Sequence, residues 1–330
     1  MTPRTRKTKK GRLRAVARAG IVVFTTLGCA LHAVGHAAPA GEKTQAAQVS
    51  SQRLVAARQQ LALLDERVAR LPTEEAARLT SFVIGNLLFV LVHELGHAVI
   101  SQLKLPVLGR EEDAADSFAT LSILSVGTEL SHTVLRETAR GLLLTADRDK
   151  SSDQLLPIYD EHSLDAQRAF QIVCLMVGSD PKKFRDVAAI GKMPAERQET
   201  CRDDFEQAIH SLEMLLNGRS ASASRSRFPA RQSAARKGSA EFSVKYAAPD
   251  NGSGFQSVLK TAGVLETVVR FGREALSLPR PLTIKAKKCD EPNAYWDDRD
   301  REIVVCVELV GEFIELGLRP PPAIERVAKP

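Results

Sequence analysis

From Phe82 to Ile100 the chain reads FVIGNLLFVLVHELGHAVI, an apolar run interrupted chiefly by Asn86 and the group His93-Glu94-Leu95-Gly96-His97. The run is long enough for a membrane span, but three ionisable side chains in its C-terminal half point to a buried helix instead. Upstream, Leu54, Leu61, Leu63, Leu64, Val68 and Leu71 recur at helical spacing, predicting an amphipathic helix over Gln52–Leu71. Polar residues 41–50 predict a flexible tether ahead of it. Thr73 reads as an N-cap, with Glu74 and Glu75 in the first turn. Downstream a second helix reaches Ala119 and continues through Leu121, Ile123, Leu124 and Val126. Further helices are predicted over Leu130–Leu144, Ala169–Val177 (capped by Asp160 or Ser163) and Arg202–Leu216, with a charged loop over Asp147–Asp153.

Beyond residue 240 the pattern changes. Phe242–Tyr246, Leu282–Ala286 and Ile303–Val307 read as strands, and Phe255–Leu276 as one helix. PNAYWDDRDR, residues 292–301, reads as a hairpin-type connection. The predicted fold class is α+β, predominantly helical. Its parts are a leader over 1–40, a helical core over 41–217, a linker over 218–240 and a small α/β unit over 241–330. The linker, GRSASASRSRFPARQSAARKGSA, lacks the apolar periodicity needed to pack.

Composition and charge alter this picture at the N-terminus. The net charge of +6 is misleading, because residues 1–18 hold eight Lys and Arg and no acid. An apolar stretch, Ala19–Val34, and Ala38-Pro39-Ala40 complete the parts of a secretory signal peptide. Cleavage after Ala40 removes eight positive charges from +6 and leaves −2, which argues against nucleic acid as a partner. The periplasm or the medium is the expected location, without stable membrane insertion after cleavage; an uncleaved inner-membrane anchor is the alternative. Past the leader four cysteines remain, none in C-x-x-C. In an exported chain they predict two disulfides, with the local pairings Cys174–Cys201 and Cys289–Cys306 favoured over the two other connectivities.

The candidate chemistry lies in the helix pair over Phe82–Ala119. His93 and His97 are one helical turn apart, so both imidazoles leave the same face and can reach one Zn²⁺. Glu94 beside them can take a proton from an attacking water. On the second helix Glu112 and Asp116 form another pair one turn apart. Glu112 is the expected third ligand, and Asp116 the carboxylate on the far ring nitrogen of a liganding histidine. Glu111 is the weaker ligand candidate, because its own partner one turn on is Ala115. The plain alternative is a buried helix with two satisfied histidines.

These residues resemble those of the gluzincin metallopeptidases, the thermolysin-like group with a glutamate as third zinc ligand. More closely, the chain resembles an uncharacterised family of bacterial metallopeptidases at FVLVHELGHAVI, LPVLGREEDAADSFA, YDEHSLDAQRAFQIVCLMVGSDP and CDEPNAYWDDRDREIVVC. The likeness runs from about Gly85 to Cys201 and from about Val264 to Leu316. It implies zinc on His93, His97 and Glu112, Glu94 as catalytic base, Asp116 as orienting group, and a peptide or protein substrate. Val307 departs from it, standing where the family leads one to expect an aromatic residue.

The polar segment before Ala169 adds His162 and Tyr159 as candidates for stabilising an oxyanion; the alternative there is a capped helix start with an Asp165–Arg168 pair on its surface. His132 and His210 are expected to be structural, as is Glu308. Zincins commonly set a sheet beside the active-site helix. In the thermolysin-like group those strands precede the helix, whereas here they come after it, so either the topology is rearranged or the C-terminal unit does something else. The expected function is peptide hydrolysis at zinc. The alternative is a non-catalytic envelope protein with a structural or degenerate metal site, marked by a fourth protein ligand such as His162.

Overall fold

A computed structural model describes residues 40–151, 159–190, 192–217, 241–247 and 254–320. The leader expected over 1–40 lies outside the described residues except for Ala40, and the linker expected over 218–240 lies outside them entirely. The chain divides into Met1–Thr44, of which only the first turn of a helix is described, and Gln45–Pro330, which holds every other described element.

Helix α1 spans Ala40–Leu64 and α2 Glu66–Ala69, broken at Asp65, whose carboxylate accepts the Arg67 amide at 2.8 Å. The tether expected over 41–50 is therefore helical, as its Ala, Glu, Gln and Lys content favours. Helix α3 spans Thr73–Leu103; Thr73 is its first residue, and the N-cap is Pro72. It stops at Lys104, which turns left-handed ahead of Pro106 while the Leu105 amide bonds back to Ile100 O. Then come α4 (Glu111–Val126), α5 (Glu129–Ser151), α6 (Asp165–Ser179), α7 (Arg185–Ile190) and α8 (Ala195–Asn217). Helix α5 continues through most of the charged stretch expected as a loop. The cap of α6 also differs from expectation: Gln167 accepts from the Leu164 amide, while Asp160 serves the amide of His162.

The C-terminal part comprises β1 (Phe242–Tyr246), α9 (Phe255–Ala262), α10 (Val264–Ala275), β2 (Leu282–Lys287), β3 (Ala294–Asp297), β4 (Glu302–Cys306) and α11 (Glu308–Gly317). The single helix expected over Phe255–Leu276 breaks at Gly263, whose φ of +65° is left-handed and suits glycine. The sheet order is β1-β2-β4-β3, with β1, β2 and β4 parallel and β3 antiparallel to β4. This is the predominantly helical α+β class, with a small mixed sheet.

Helix α3 is the centre of the molecule. Helices α4, α5, α10 and α11 and strand β3 pack around it, and Phe82, Leu87, Leu91 and Leu95 are fully buried. Each such side chain contributes about 1.5–3 kcal/mol relative to exposure. By length and composition α3 could cross a membrane, yet 83% of its most apolar window is buried within the chain. Disulfides join Cys174 to Cys201, tying α6 to α8, and Cys289 to Cys306, tying the segment after β2 to the end of β4. Glu308 accepts the amides of Cys289 and Asp290, a structural contact.

Candidate metal centre

Two helices meet here because small residues face each other. A Cβ built on Gly96 would lie 3.1 Å from the Ala115 Cα and 3.2 Å from the Phe118 ring, so any side chain there would press the two helices apart by a few tenths of an ångström. The close approach brings the last turns of α3 against the first turns of α4. His93 and His97 thereby face Glu112 and Asp116. Acidic Glu111, Glu112 and Asp113 also suit the positive end of α4.

One oxygen is the focus. Glu112 Oε2 lies 3.0 Å from His93 Nε2, 3.3 Å from His97 Nε2 and 2.8 Å from His162 Nε2. The Nε2 atoms of His93 and His97 are themselves 3.2 Å apart. Each ring turns its other nitrogen to a carboxylate: His93 Nδ1 to Asp116 at 2.8 Å, His97 Nδ1 to Glu111 at 2.8 Å, and His162 Nδ1 to Asp160 at 3.3 Å. Asp116 is buried and receives Arg168 through Nε at 2.7 Å and Nη2 at 3.0 Å. Arg110 donates to the His162 carbonyl at 2.8 Å, tying the segment before α6 to the start of α4.

The electrostatics come from this crowding. Burial pulls His93 down, but the carboxylates of Asp116 and Glu112 outweigh it and push the imidazole up to about 9. His97 is likewise raised against burial, by Glu112 and Glu111. His162 is raised mainly by Glu112. Glu112 resists burial and is held far below the usual carboxylate range by the three histidines. Glu94 behaves differently: burial raises its carboxyl, while the two neighbouring histidines and the Trp296 main-chain amide oppose the rise.

That amide has a structural reason to be there. Cys306 donates to Asn293 O, and an antiparallel ladder alternates, so Trp296 opposite Ile303 turns its N–H away from β4. Strand β3 is last in the sheet, and its free edge faces α3. Strands that come after the helix in sequence therefore flank it in space.

Of the residues expected from sequence, His93, Glu94, His97, Glu112, Asp116 and His162 come together. Tyr159 does not join them; it is 89% exposed on the segment leading to His162. His132 is buried in an edge-to-face contact with Phe184. The Asp165–Arg168 pair of the alternative reading forms at 3.4 Å, but not on the surface: Arg168 is largely buried and holds Asp116 more closely. Four participants are not evident from sequence: Glu111 on His97, Asp160 on His162, Arg168 on Asp116, and the Trp296 amide.

Residues 48–216 and 246–319 match a family described as "Putative metallopeptidase". The chain belongs to that family. The unmatched stretch between the two segments contains the low-complexity residues expected as a linker. No curated protein and no solved structure matches the chain.

A metallopeptidase needs a metal ion, and the donor set fits one. A carboxylate on each Nδ1 holds a proton there, so each Nε2 can turn a lone pair inward once a metal ion takes the place of its own proton. The Nε2 atoms of His93 and His97, 3.2 Å apart beside a carboxylate oxygen, need positive charge among them, as protons or as a metal ion. His93, His97 and Glu112 present donor atoms that could hold the ion. Among the described residues, His93, Glu112 and His162 also form a donor group of metal-binding dimensions.

Proposed function

We propose that this chain is an exported zinc metallopeptidase hydrolysing peptide bonds in a peptide or protein substrate. The observation that carries the reading is the convergence of His93, His97 and Glu112, with Glu94 buried beside them. Zn²⁺ held there would supply Lewis acidity, polarising the scissile carbonyl and making water a stronger acid. Glu94 is the general base. Its raised pKa, caused first by burial, brings the carboxylate nearer the range in which it can take a proton from water and return it to the leaving amine. Asp116, braced by Arg168, keeps the His93 proton on Nδ1 and so orients Nε2. The free edge of β3 suits an extended peptide added as a further strand, within reach of Glu94. Export to the periplasm or beyond rests on the leader, and the near-neutral charge of the remaining chain offers nucleic acid little purchase.

The test is Glu94→Gln. The variant should retain zinc and lose cleavage of a peptide library, whereas His97→Ala should lose both. Undiminished hydrolysis by Glu94→Gln would overturn the assignment. A second reading, a non-catalytic protein with a structural zinc, draws on the position of His162 Nε2 at the same Glu112 oxygen. Zinc-loaded wild-type chain that cleaves nothing in the library favours that reading.

A further inference from the structure

Three histidines surround Glu112, and all three are built alike. Each presents Nε2 to Oε2 of the same carboxylate and Nδ1 to an acid of its own. The contact at Nδ1 fixes each ring so that its Nε2 faces the shared oxygen. The His162 ring also lies nearly parallel to that of His93, with centroids 6.1 Å apart and planes 21° apart. Its main chain is fixed from two sides, by Asp160 on the amide and Arg110 on the carbonyl. What distinguishes it is exposure. The His162 side chain is 44% exposed, against 6% for His93 and 13% for His97.

We propose that His162 is a fourth protein donor to the metal, on the solvent side, so that protein closes the site until this side chain is displaced. The inference rests on the metal reading above and deepens it. His93, His97 and Glu112 come from packed helices, whereas His162 comes from the irregular segment 159–164 ahead of α6. A tetrahedral ion with four protein donors has no position left for substrate or water. Access then requires the most exposed donor to leave, and that is His162. The oxyanion role expected from sequence gives way to that of a displaceable ligand.

The experiment is X-ray absorption on the Co²⁺-loaded full chain, counting imidazole donors, alongside Co²⁺ dissociation constants. Wild type should show three imidazoles. His162→Ala and His162→Gln should each show two, with affinity weakened at least about 10–100-fold, the cost of losing even an outer-sphere partner. Two imidazoles in wild type, or an unchanged count in both variants, overturns the proposal while leaving the His93, His97 and Glu112 site standing. Wild type that binds no cobalt, or His97→Ala that keeps its full donor set, overturns the proposal together with the reading beneath it. The wild-type count decides even where a variant fails to fold.

Discussion

Asp116 is one buried carboxylate serving two neighbours, the His93 ring on one side and the Arg168 guanidinium on the other. Removing the guanidinium leaves the acid with a single partner inside the protein. Arg168→Gln is therefore expected to destabilise the fold by about 3–5 kcal/mol in denaturant unfolding. It should also weaken metal binding by about 10–100-fold, because His93 loses its brace. Unchanged unfolding and unchanged metal affinity would contradict the role given to this pair. The contrast between the two residues shows what a sequence makes visible. Asp116 is legible because it stands one helical turn from Glu112. Arg168 is not, because its nearest acid in sequence is Asp165, and nothing local favours an acid 52 residues away. Glu111 looks weak as a ligand for lack of a partner one turn on, yet its use is as the acceptor for His97 Nδ1.

Between elements, the decisive contact is the crossing of α3 and α4 at Gly96 and Ala115. A valine at Gly96 would drive its branches into the Ala115 backbone, 3.1 Å from where its Cβ must lie. Gly96→Val should cost about 1–3 kcal/mol by overpacking and separate the histidines from Glu112, abolishing tight metal binding. Metal affinity equal to wild type would show that the crossing does not set the site. The Cys289–Cys306 bridge belongs to this scale too, closing a short loop around β3. The double serine variant is expected to lose about 3 kcal/mol in thermal or denaturant unfolding; an unchanged midpoint would contradict this. Long periodic helices are legible as elements, and three of the strands with them. Strand β3 reads only as a connection, since its four residues are all half-buried and show no alternation. The break at Gly263 and the helical course of 147–151 escape the pattern for a related reason: local composition gives one answer and packing another.

At the scale of the molecule, two segments of sequence separated by a low-complexity stretch pack on one helix. The α+β class and the surplus of helix can be read from apolar periodicity. That the C-terminal sheet lies against α3, with its edge strand at Glu94, cannot be read, since such pairing depends on contacts remote in sequence. The same arrangement explains how α3 can be apolar enough to cross a membrane and still be covered by its own chain. It also brings Glu94, a donor set and a free strand edge into one neighbourhood, the grounds on which hydrolysis of an extended peptide is proposed. Whether these donors hold a metal is answered by elemental analysis of purified wild-type chain beside His97→Ala. About one tightly held divalent ion per wild-type chain is expected, zinc foremost, and its loss in the variant. A wild-type chain without metal, or a variant that keeps the same content, would contradict that expectation.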